Sequence, residues 1–282
     1  MPDPYIQEIV AVFGQPVAGN PTQFMMERAF AQAGLDWRYL TLEVAPQQLG
    51  DALRGVRAMG FRGCNLTKPH KVAAVELLDS LGENVQACGA VNTVVRKGDK
   101  LHGENTDGKG FLQSLAEVTD PTGKHVVILG AGGAASAIAV ELVRAGVAHL
   151  VIVNRSPERG QALIDLVRDR VGFAAEAVTW QGTFEVPQET HVLVNATSIG
   201  LKDADARVPV ATKSLKPGMI VGDVNFNPPE TRLIREARER GCTTLTGLGM
   251  LVNQAVMAFE LWTGVAPDRT VMVDALEEFL GF

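Results

Sequence analysis

The run Val126-Val127-Ile128-Leu129-Gly130-Ala131-Gly132-Gly133-Ala134-Ala135 sets the architecture of this chain. Four consecutive apolar residues, three of them β-branched, read as a short strand buried on both faces, as in a parallel sheet covered by helices. The glycine-rich run follows without a break and leads into a helix through Ala145. A second apolar strand, Leu150–Val153, comes about twenty residues after the first glycine, the spacing of a dinucleotide-binding βαβ unit. The small residues have separate duties there. Gly130 makes the tight turn, Gly132 lets a diphosphate approach the backbone, and Ala135 allows close packing of helix on strand. The freed N–H groups and the helix dipole then face the phosphate oxygens.

The end of the second strand selects the dinucleotide. An NAD site places Asp or Glu there to accept a hydrogen bond from the ribose 2′-hydroxyl. This chain has Asn154-Arg155-Ser156-Pro157-Glu158-Arg159 instead. Arg155 can stack on adenine or fork onto a 2′-phosphate, and Arg159 can close from one helical turn further on. No carboxylate sits at 154–156 to repel that phosphate, and Glu158 is expected to point to solvent. The expected cofactor is NADP.

Working outward, strands and helices alternate along the chain. Ile9–Phe13 reads as a strand closed by Gly14. Asn20-Pro21 reads as a helix start, an N-cap followed by proline at the first helical position. Trp37–Val44 is a second strand, Gln47–Met59 a second helix and Phe61–Leu66 a third strand, an order that implies right-handed crossovers in a largely parallel sheet. Val91–Arg96 and Lys100–Glu104 flank Lys97-Gly98-Asp99 as an antiparallel hairpin. After the glycine loop come a helix around Gln161–Val171, strands Val192–Asn195 and Met219–Asp223, and a helix over Thr231–Arg240. The last helix, Met250–Trp262, has no strand after it to serve and is expected to return to the first unit. The fold class is therefore a two-lobe α/β protein: an N-terminal mixed-sheet substrate domain (1–106 and 242–282) and a Rossmann-type NADP-binding domain (107–241).

Composition narrows the function classes. The 282 residues are 46% hydrophobic and 21% charged, ordinary for a globular protein. No apolar run approaches the roughly 20 residues of a membrane span, and the start, MPDPYIQEIV, is acidic where a signal peptide would be basic. Lys and Arg number 26 against 32 Asp and Glu, a net charge of −6 that leaves no surplus to neutralise a nucleic-acid backbone. Cys64, Cys88 and Cys242 are odd in number and widely spaced, which fits reduced, buried thiols in a cytoplasm rather than a disulfide framework or a metal site. The expectation is a cytoplasmic monomer or homodimer with no metal, no membrane and no nucleic acid.

Three runs dense in polar side chains fall at strand ends of the first unit: Asn65-Leu66-Thr67-Lys68-Pro69-His70-Lys71, Gly89-Ala90-Val91-Asn92-Thr93, and Gly103-Glu104-Asn105-Thr106-Asp107-Gly108. Amide, hydroxyl, lysine and carboxylate groups together suggest one polyhydroxylated small molecule at a sheet edge. With these runs the sequence resembles the shikimate/quinate dehydrogenase family over nearly its whole length. The other blocks carrying the resemblance are the glycine loop, Asn154–Arg159, Asn195-Ala196-Thr197-Ser198-Ile199-Gly200-Leu201, and Gly247-Leu248-Gly249-Met250-Leu251-Val252-Asn253-Gln254.

The resemblance implies NADP-dependent interconversion of 3-dehydroshikimate and shikimate, with Lys71 as the catalytic lysine and Asp107 as its partner. It implies that Thr67, Asn92 and Gln254 bind ring hydroxyls. It also implies that Ala131, Gly133, Ala134, Asn154, Ser156, Thr197, Ser198, Val224 and Gly247 join Gly130, Gly132, Arg155 and Arg159 around the cofactor. The chemistry stands without the family: hydride leaves a carbinol carbon while the hydroxyl proton needs a base, and a lysine beside a carboxylate can hold or relay it. His70 faces away from Lys71 if the segment is extended and is expected to serve packing or a helix start.

Two departures bear on the substrate. The family carries a serine pair before the first helix, in a stretch like His-Ser-x-Ser-Pro, whose hydroxyls hold the substrate carboxylate. This chain reads Gly14-Gln15-Pro16-Val17-Ala18-Gly19-Asn20-Pro21-Thr22; if Pro21 aligns with the family proline, two residues are deleted and both serines are gone. Asn20 or Thr22 could each donate one bond, and Lys68 could supply charge. The second departure is Asp223-Val224-Asn225-Phe226-Asn227-Pro228, with Phe226 where the family has tyrosine. Alternatives to shikimate are therefore another hydroxylated cyclic acid, such as quinate or an aminoshikimate-like compound, and a non-catalytic NADP-binding regulator.

Overall fold

The computed structural model describes residues 6–281; the acidic start read at positions 1–5 lies outside the described residues. The chain divides into two compact units, one running up to Thr106 and resuming at Val252, the other spanning Asp107–Leu251.

The first unit contains β1 (Glu8–Gly14), α1 (Thr22–Gln32), β2 (Trp37–Glu43), α2 (Leu49–Ala58), β3 (Gly63–Leu66), α3 (His70–Ala73), β4 (Ser80–Leu81), α4 (Glu83–Cys88), β5 (Thr93–Lys97) and β6 (Lys100–Glu104). Its sheet has the order β2-β1-β3-β5-β6-β4. The first three strands are parallel, as the alternation of strand and helix requires, and β5 is antiparallel to both β3 and β6. Successive side chains of a strand leave on opposite faces. Ala11, Phe13, Cys64 and Leu66 accordingly meet Leu49, Leu53 and Val56 of α2 in one core layer. The spacing i, i+4, i+7 puts those three on one stripe of α2, and burying each stabilises the unit by about 1.5–3 kcal/mol. That packing outweighs the weak helix propensity of Gly50 and Gly55.

Helix α1 begins one residue later than the cap pattern predicts, with Pro21 as the residue before it. The Asn20 side-chain oxygen nevertheless accepts the Thr22 N–H at 2.9 Å, the bond an N-cap makes two residues on, and the Pro21 carbonyl accepts the Met25 N–H at 3.1 Å. The two-residue β4 and the single-turn α3 carry no period long enough to be read from sequence.

The second unit contains α5 (Asp107–Ala116), β7 (His125–Leu129), α6 (Gly133–Arg144), β8 (His149–Asn154), α7 (Pro157–Val171), β9 (Glu176–Thr179), β10 (Val192–Asn195), β11 (Ile220–Asp223), α8 (Arg232–Glu239) and β12 (Thr243–Leu245). All six strands are parallel, in the order β12-β11-β10-β7-β8-β9. Val126 and Ile128 pack with Phe111, Ile138 and Leu163 on one face, while Val127 and Leu129 pack with Val221, Leu233 and Ala237 on the other. Burial on both sides is why β7 reads as an unbroken apolar run. Strand β9 is exposed along its length and shows no apolar alternation, so it escapes sequence reading.

The chain then enters α9 (Gly247–Thr263) and, beyond the predicted last helix, a further helix α10 (Arg269–Leu280) capped by Asp268. The C-terminal part of α9 packs on the first sheet and on α1: Trp262 Nε1 donates to the Val94 carbonyl of β5 at 2.9 Å, and Phe259 stacks on Phe30 of α1 at 5.1 Å. The expected boundary at 242 shifts to Val252 because β12, at Thr243–Leu245, pairs with β11 and extends the second sheet. Cys64, Cys88 and Cys242 are all buried thiols outside any disulfide. No helix of the described residues is long and apolar enough to cross a membrane.

Candidate active site

In the second unit the order of strands reverses at β7, with β8 on one side and β10 on the other. Loops leaving neighbouring strands at such a point diverge and open a crevice at the carboxyl edge of the sheet. Gly130 turns there at φ +109°, and a Cβ built on it would lie 3.0 Å from the Ala196 carbonyl oxygen and 3.2 Å from Thr197 Cγ2. The glycine therefore serves both the turn and the close approach of the β10 loop. Gly132 differs: its φ of −103° suits any residue, and a Cβ there would meet nothing within 4 Å. Its glycine is not required by the protein's own packing. The open space lies before the first turn of α6, where N–H groups lack intrahelical partners, and fits a diphosphate.

At the end of β8, Ser156 caps α7 by accepting the Arg159 N–H at 3.2 Å. The Asn154 amide braces the turn by donating to the Ser156 carbonyl at 2.9 Å. Glu158 is exposed, as expected, and the Ser156 hydroxyl donates to its carboxylate at 2.6 Å, which holds that carboxyl below its usual range. Arg155 and Arg159 are exposed, and among the described residues neither guanidinium makes an ion pair. Two unengaged guanidinium groups flanking a strand end that lacks a carboxylate suit a phosphate monoester.

Beyond β10 and β11 lies a buried hydrogen-bond network that the residue pattern did not single out. Asp223, 2% exposed, accepts from the Asn225 backbone N–H (2.9 Å), the Asn225 amide (2.8 Å), the Asn195 amide (3.1 Å) and the Thr231 hydroxyl (2.8 Å). Burial pushes the Asp223 carboxyl up, and the four donors pull against that shift. The Thr197 hydroxyl donates to Asn195 Oδ1 at 2.7 Å and accepts the Ile199 N–H at 3.1 Å. Ser198 is exposed at the crest of this loop. A Cβ on Gly247 would strike the Val224 and Asn225 carbonyls at 2.7 and 2.5 Å, so α9 starts flush against the β11 loop. Phe226 is half-buried in that loop. The expected cofactor residues thus occupy the carboxyl ends of β7, β8, β10 and β11 and the start of α9.

In the first unit the polar runs converge because one strand is reversed. Thr67 follows β3 and Thr106 follows β6, whereas Asn92 precedes β5; antiparallel pairing brings the beginning of β5 to the same edge. Asn92 is 2% exposed, and its amide donates to Thr106 Oγ1 at 2.8 Å and to Gln254 Oε1 at 3.4 Å. Thr106, read from sequence only as one member of a polar run, has a bond of its own: its hydroxyl donates to the Gln254 carbonyl at 3.1 Å and anchors α9 at this edge. Asn65, which lies under Asn92, donates to its carbonyl at 3.1 Å and accepts the Tyr39 hydroxyl at 2.7 Å. Tyr39 is held well above its usual range by burial.

Thr67 is half-buried, and its N–H donates to the Phe13 carbonyl at 2.9 Å. Four residues later, the Lys71 carbonyl accepts the Val91 N–H at 2.8 Å, which fixes the lysine backbone beside the approach to Asn92. His70 is buried and bonded through Nε2 to the Val44 carbonyl at 2.8 Å, a packing group at a helix start. Asp107 opens α5 and is 5% exposed. Asn20 and Thr22 lie at the N-terminus of α1, with the Thr22 residue 4% exposed. Glu43, which ends β2, accepts the Val17 N–H at 3.0 Å and so brings a carboxylate to the Gly14–Thr22 segment.

Three family models match the chain: Shikimate dehydrogenase substrate binding domain over residues 12–94, Shikimate / quinate 5-dehydrogenase over 113–201, and Shikimate 5'-dehydrogenase C-terminal domain over 247–277. The shikimate dehydrogenase (NADP(+)) of Methanopyrus kandleri is 41% identical over 278 residues, covering 96% of each chain. The crystal structure of shikimate 5-dehydrogenase from Thermus thermophilus in complex with NADP(H) and shikimate is 36% identical, covers 97% of this chain and 100% of its own, and has a TM-score of 0.85. The ligand-free crystal structure of 5-ketofructose reductase from Gluconobacter sp. strain CHM43 is 48% identical, covers 97% and 99%, and has a TM-score of 0.90.

Proposed function

The chain belongs to the shikimate/quinate dehydrogenase family, and on that premise we propose that it is an NADP-dependent oxidoreductase interconverting 3-dehydroshikimate and shikimate. The observation that carries the cofactor half is the open space over Gly132 together with unpaired Arg155 and Arg159 at the next strand end. NADPH supplies hydride to the ketone carbon in the reducing direction. The carbonyl oxygen then gains charge and needs a proton, which Lys71 donates with Asp107 as its partner; in the oxidising direction the same pair takes the hydroxyl proton back. Thr67, Asn92 and Gln254 bind ring hydroxyls, since hydroxyl and amide groups both donate and accept. Three buried cysteines outside any disulfide support a cytoplasmic enzyme, working as a monomer or homodimer.

One set of observations favours a second substrate. The segment that should anchor a carboxylate has no serine, Phe226 offers no hydroxyl, and Glu43 places negative charge at Val17. A substrate carboxylate buried there without donors would cost several kcal/mol. An uncharged polyhydroxylated ketone incurs no such penalty, and a relative 48% identical to this chain is named 5-ketofructose reductase. The second reading is therefore reduction of 5-ketofructose, or a like neutral ketone, by the same residues.

NADPH consumption by purified protein separates the readings. The test compares kcat/KM for 3-dehydroshikimate and 5-ketofructose, with quinate and shikimate assayed in the oxidative direction. A dominant kcat/KM for 3-dehydroshikimate upholds the first reading, and a dominant value for 5-ketofructose replaces it with the second. No turnover of any of them, with NADP still bound, would leave the regulator.

A further inference from the structure

We infer that Asp223 is a positioning residue for the reacting end of the cofactor, acting through the two asparagines it orients. This rests on the reading that the Thr197–Ser198 loop borders NADP. Each oxygen of the Asp223 carboxylate accepts two hydrogen bonds: Oδ1 from the backbone and amide of Asn225, Oδ2 from the Asn195 amide and the Thr231 hydroxyl. A carboxylate is acceptor-only when ionised, so it compels both asparagines to turn their NH2 groups inward. The same two NH2 groups reach on to the β10 loop. Asn195 donates to the Ile199 carbonyl at 3.1 Å, and Asn225 donates to the carbonyls of Ile199 at 2.9 Å and Thr197 at 3.3 Å. With its NH2 turned to Asp223, Asn195 presents Oδ1 to both the Thr197 hydroxyl and the Thr197 N–H.

The backbone of the 197–199 loop is therefore held by bonds whose direction one buried carboxylate sets. No cation takes part among the described residues, so the arrangement is not a charge pair kept for stability. The adenosine-phosphate end is governed separately, by Arg155 and Arg159 at the end of β8.

Asp223→Asn keeps the shape and places an NH2 group against inward-facing donors. One oxygen's pair of bonds is lost, and at least one asparagine must flip. The test titrates wild type and Asp223→Asn with 2′,5′-ADP, which carries only the adenosine end, and with NADP+. The expected result is 2′,5′-ADP affinity within about twofold of wild type and NADP+ affinity lowered about tenfold, the effect of a lost buried hydrogen bond. Thr231→Val, which removes a single donor and disturbs the fold less, should move in the same direction by a smaller factor, and Thr231→Ser should restore NADP+ affinity.

Equal weakening of both ligands, or no weakening of NADP+ in either Asp223→Asn or Thr231→Val, overturns the positioning role. Wild type that binds neither ligand removes the cofactor reading, and the proposal with it.

Discussion

Two glycines two residues apart should fail in opposite ways when replaced by alanine. Gly130 turns at φ +109°, where a side chain is strained, and its added methyl would crowd the Ala196 carbonyl at 3.0 Å. Positive φ costs an L-residue about 1–2 kcal/mol before crowding is counted. At about 2–4 °C per kcal/mol for a unit of this size, Gly130→Ala should lower the melting temperature by roughly 2–8 °C. Gly132 sits at φ −103° with nothing within 4 Å of the new methyl. Gly132→Ala should therefore leave stability unchanged, or raise it by about 0.4–1 kcal/mol through loss of unfolded-chain entropy. Its methyl would stand where the diphosphate must approach the α6 N-terminus. NADP+ affinity should fall at least about tenfold, since the displaced phosphate loses charge-assisted bonds of about 1.5–3 kcal/mol each. Thermal unfolding paired with isothermal titration of NADP+ reads both quantities on the same samples. Wild-type NADP+ affinity in Gly132→Ala would refute the assignment of this loop to the cofactor. Equal destabilisation of the two variants would refute the packing argument.

Three further outcomes are expected. Arg155→Ala and Arg159→Ala should each weaken NADP+ by about tenfold or more while leaving NAD+ unaffected; an unchanged NADP+/NAD+ ratio would remove both from the 2′-phosphate site. Lys71→Met should lower kcat by about 10²–10⁴-fold with NADP+ affinity retained, and full turnover in that variant would take the lysine out of the proton transfer. Burial holds the His70 imidazole below its ordinary value of 6.5. The unfolded chain therefore binds a proton that the folded chain refuses, and stability falls as pH drops below about 6.5, by at most about 1.4 kcal/mol per pH unit. Denaturant unfolding between about pH 7 and pH 5 should show a shallower fall in His70→Gln, and an equal slope would assign the pH response to other groups.

The residue pattern alone was enough for strands β7, β8, β10 and β11 of the second unit and for the glycine loop, because each is local. A strand buried on both faces must be apolar throughout, and a turn that admits a diphosphate must be glycine-rich within a few residues of that strand. The place of Arg155 and Arg159 just past a strand end was legible for the same reason, since they follow the next strand directly. Elements without a strong period, such as exposed β9 and the two-residue β4, left no trace to read.

What had to wait for tertiary structure was every assignment that depends on pairing between distant segments. The hairpin of β5 and β6 was legible, but the antiparallel pairing of β5 with β3, which brings Asn92 to the edge occupied by Thr106 and Gln254, joins distant segments and no local pattern carries it. The pairing of β12 with β11 moved the boundary to Val252. From sequence Asp223 is only the last residue of a strand; its burial and its four donors from Asn195, Asn225 and Thr231 exist only in the folded chain. Glu43 likewise gained its bearing on the substrate only when strand pairing set it against Val17, 26 residues away in sequence. Local physics writes the glycine loop into the sequence. The polar edge of the first unit is written in hydrogen bonds between segments that meet only when the sheet closes its order.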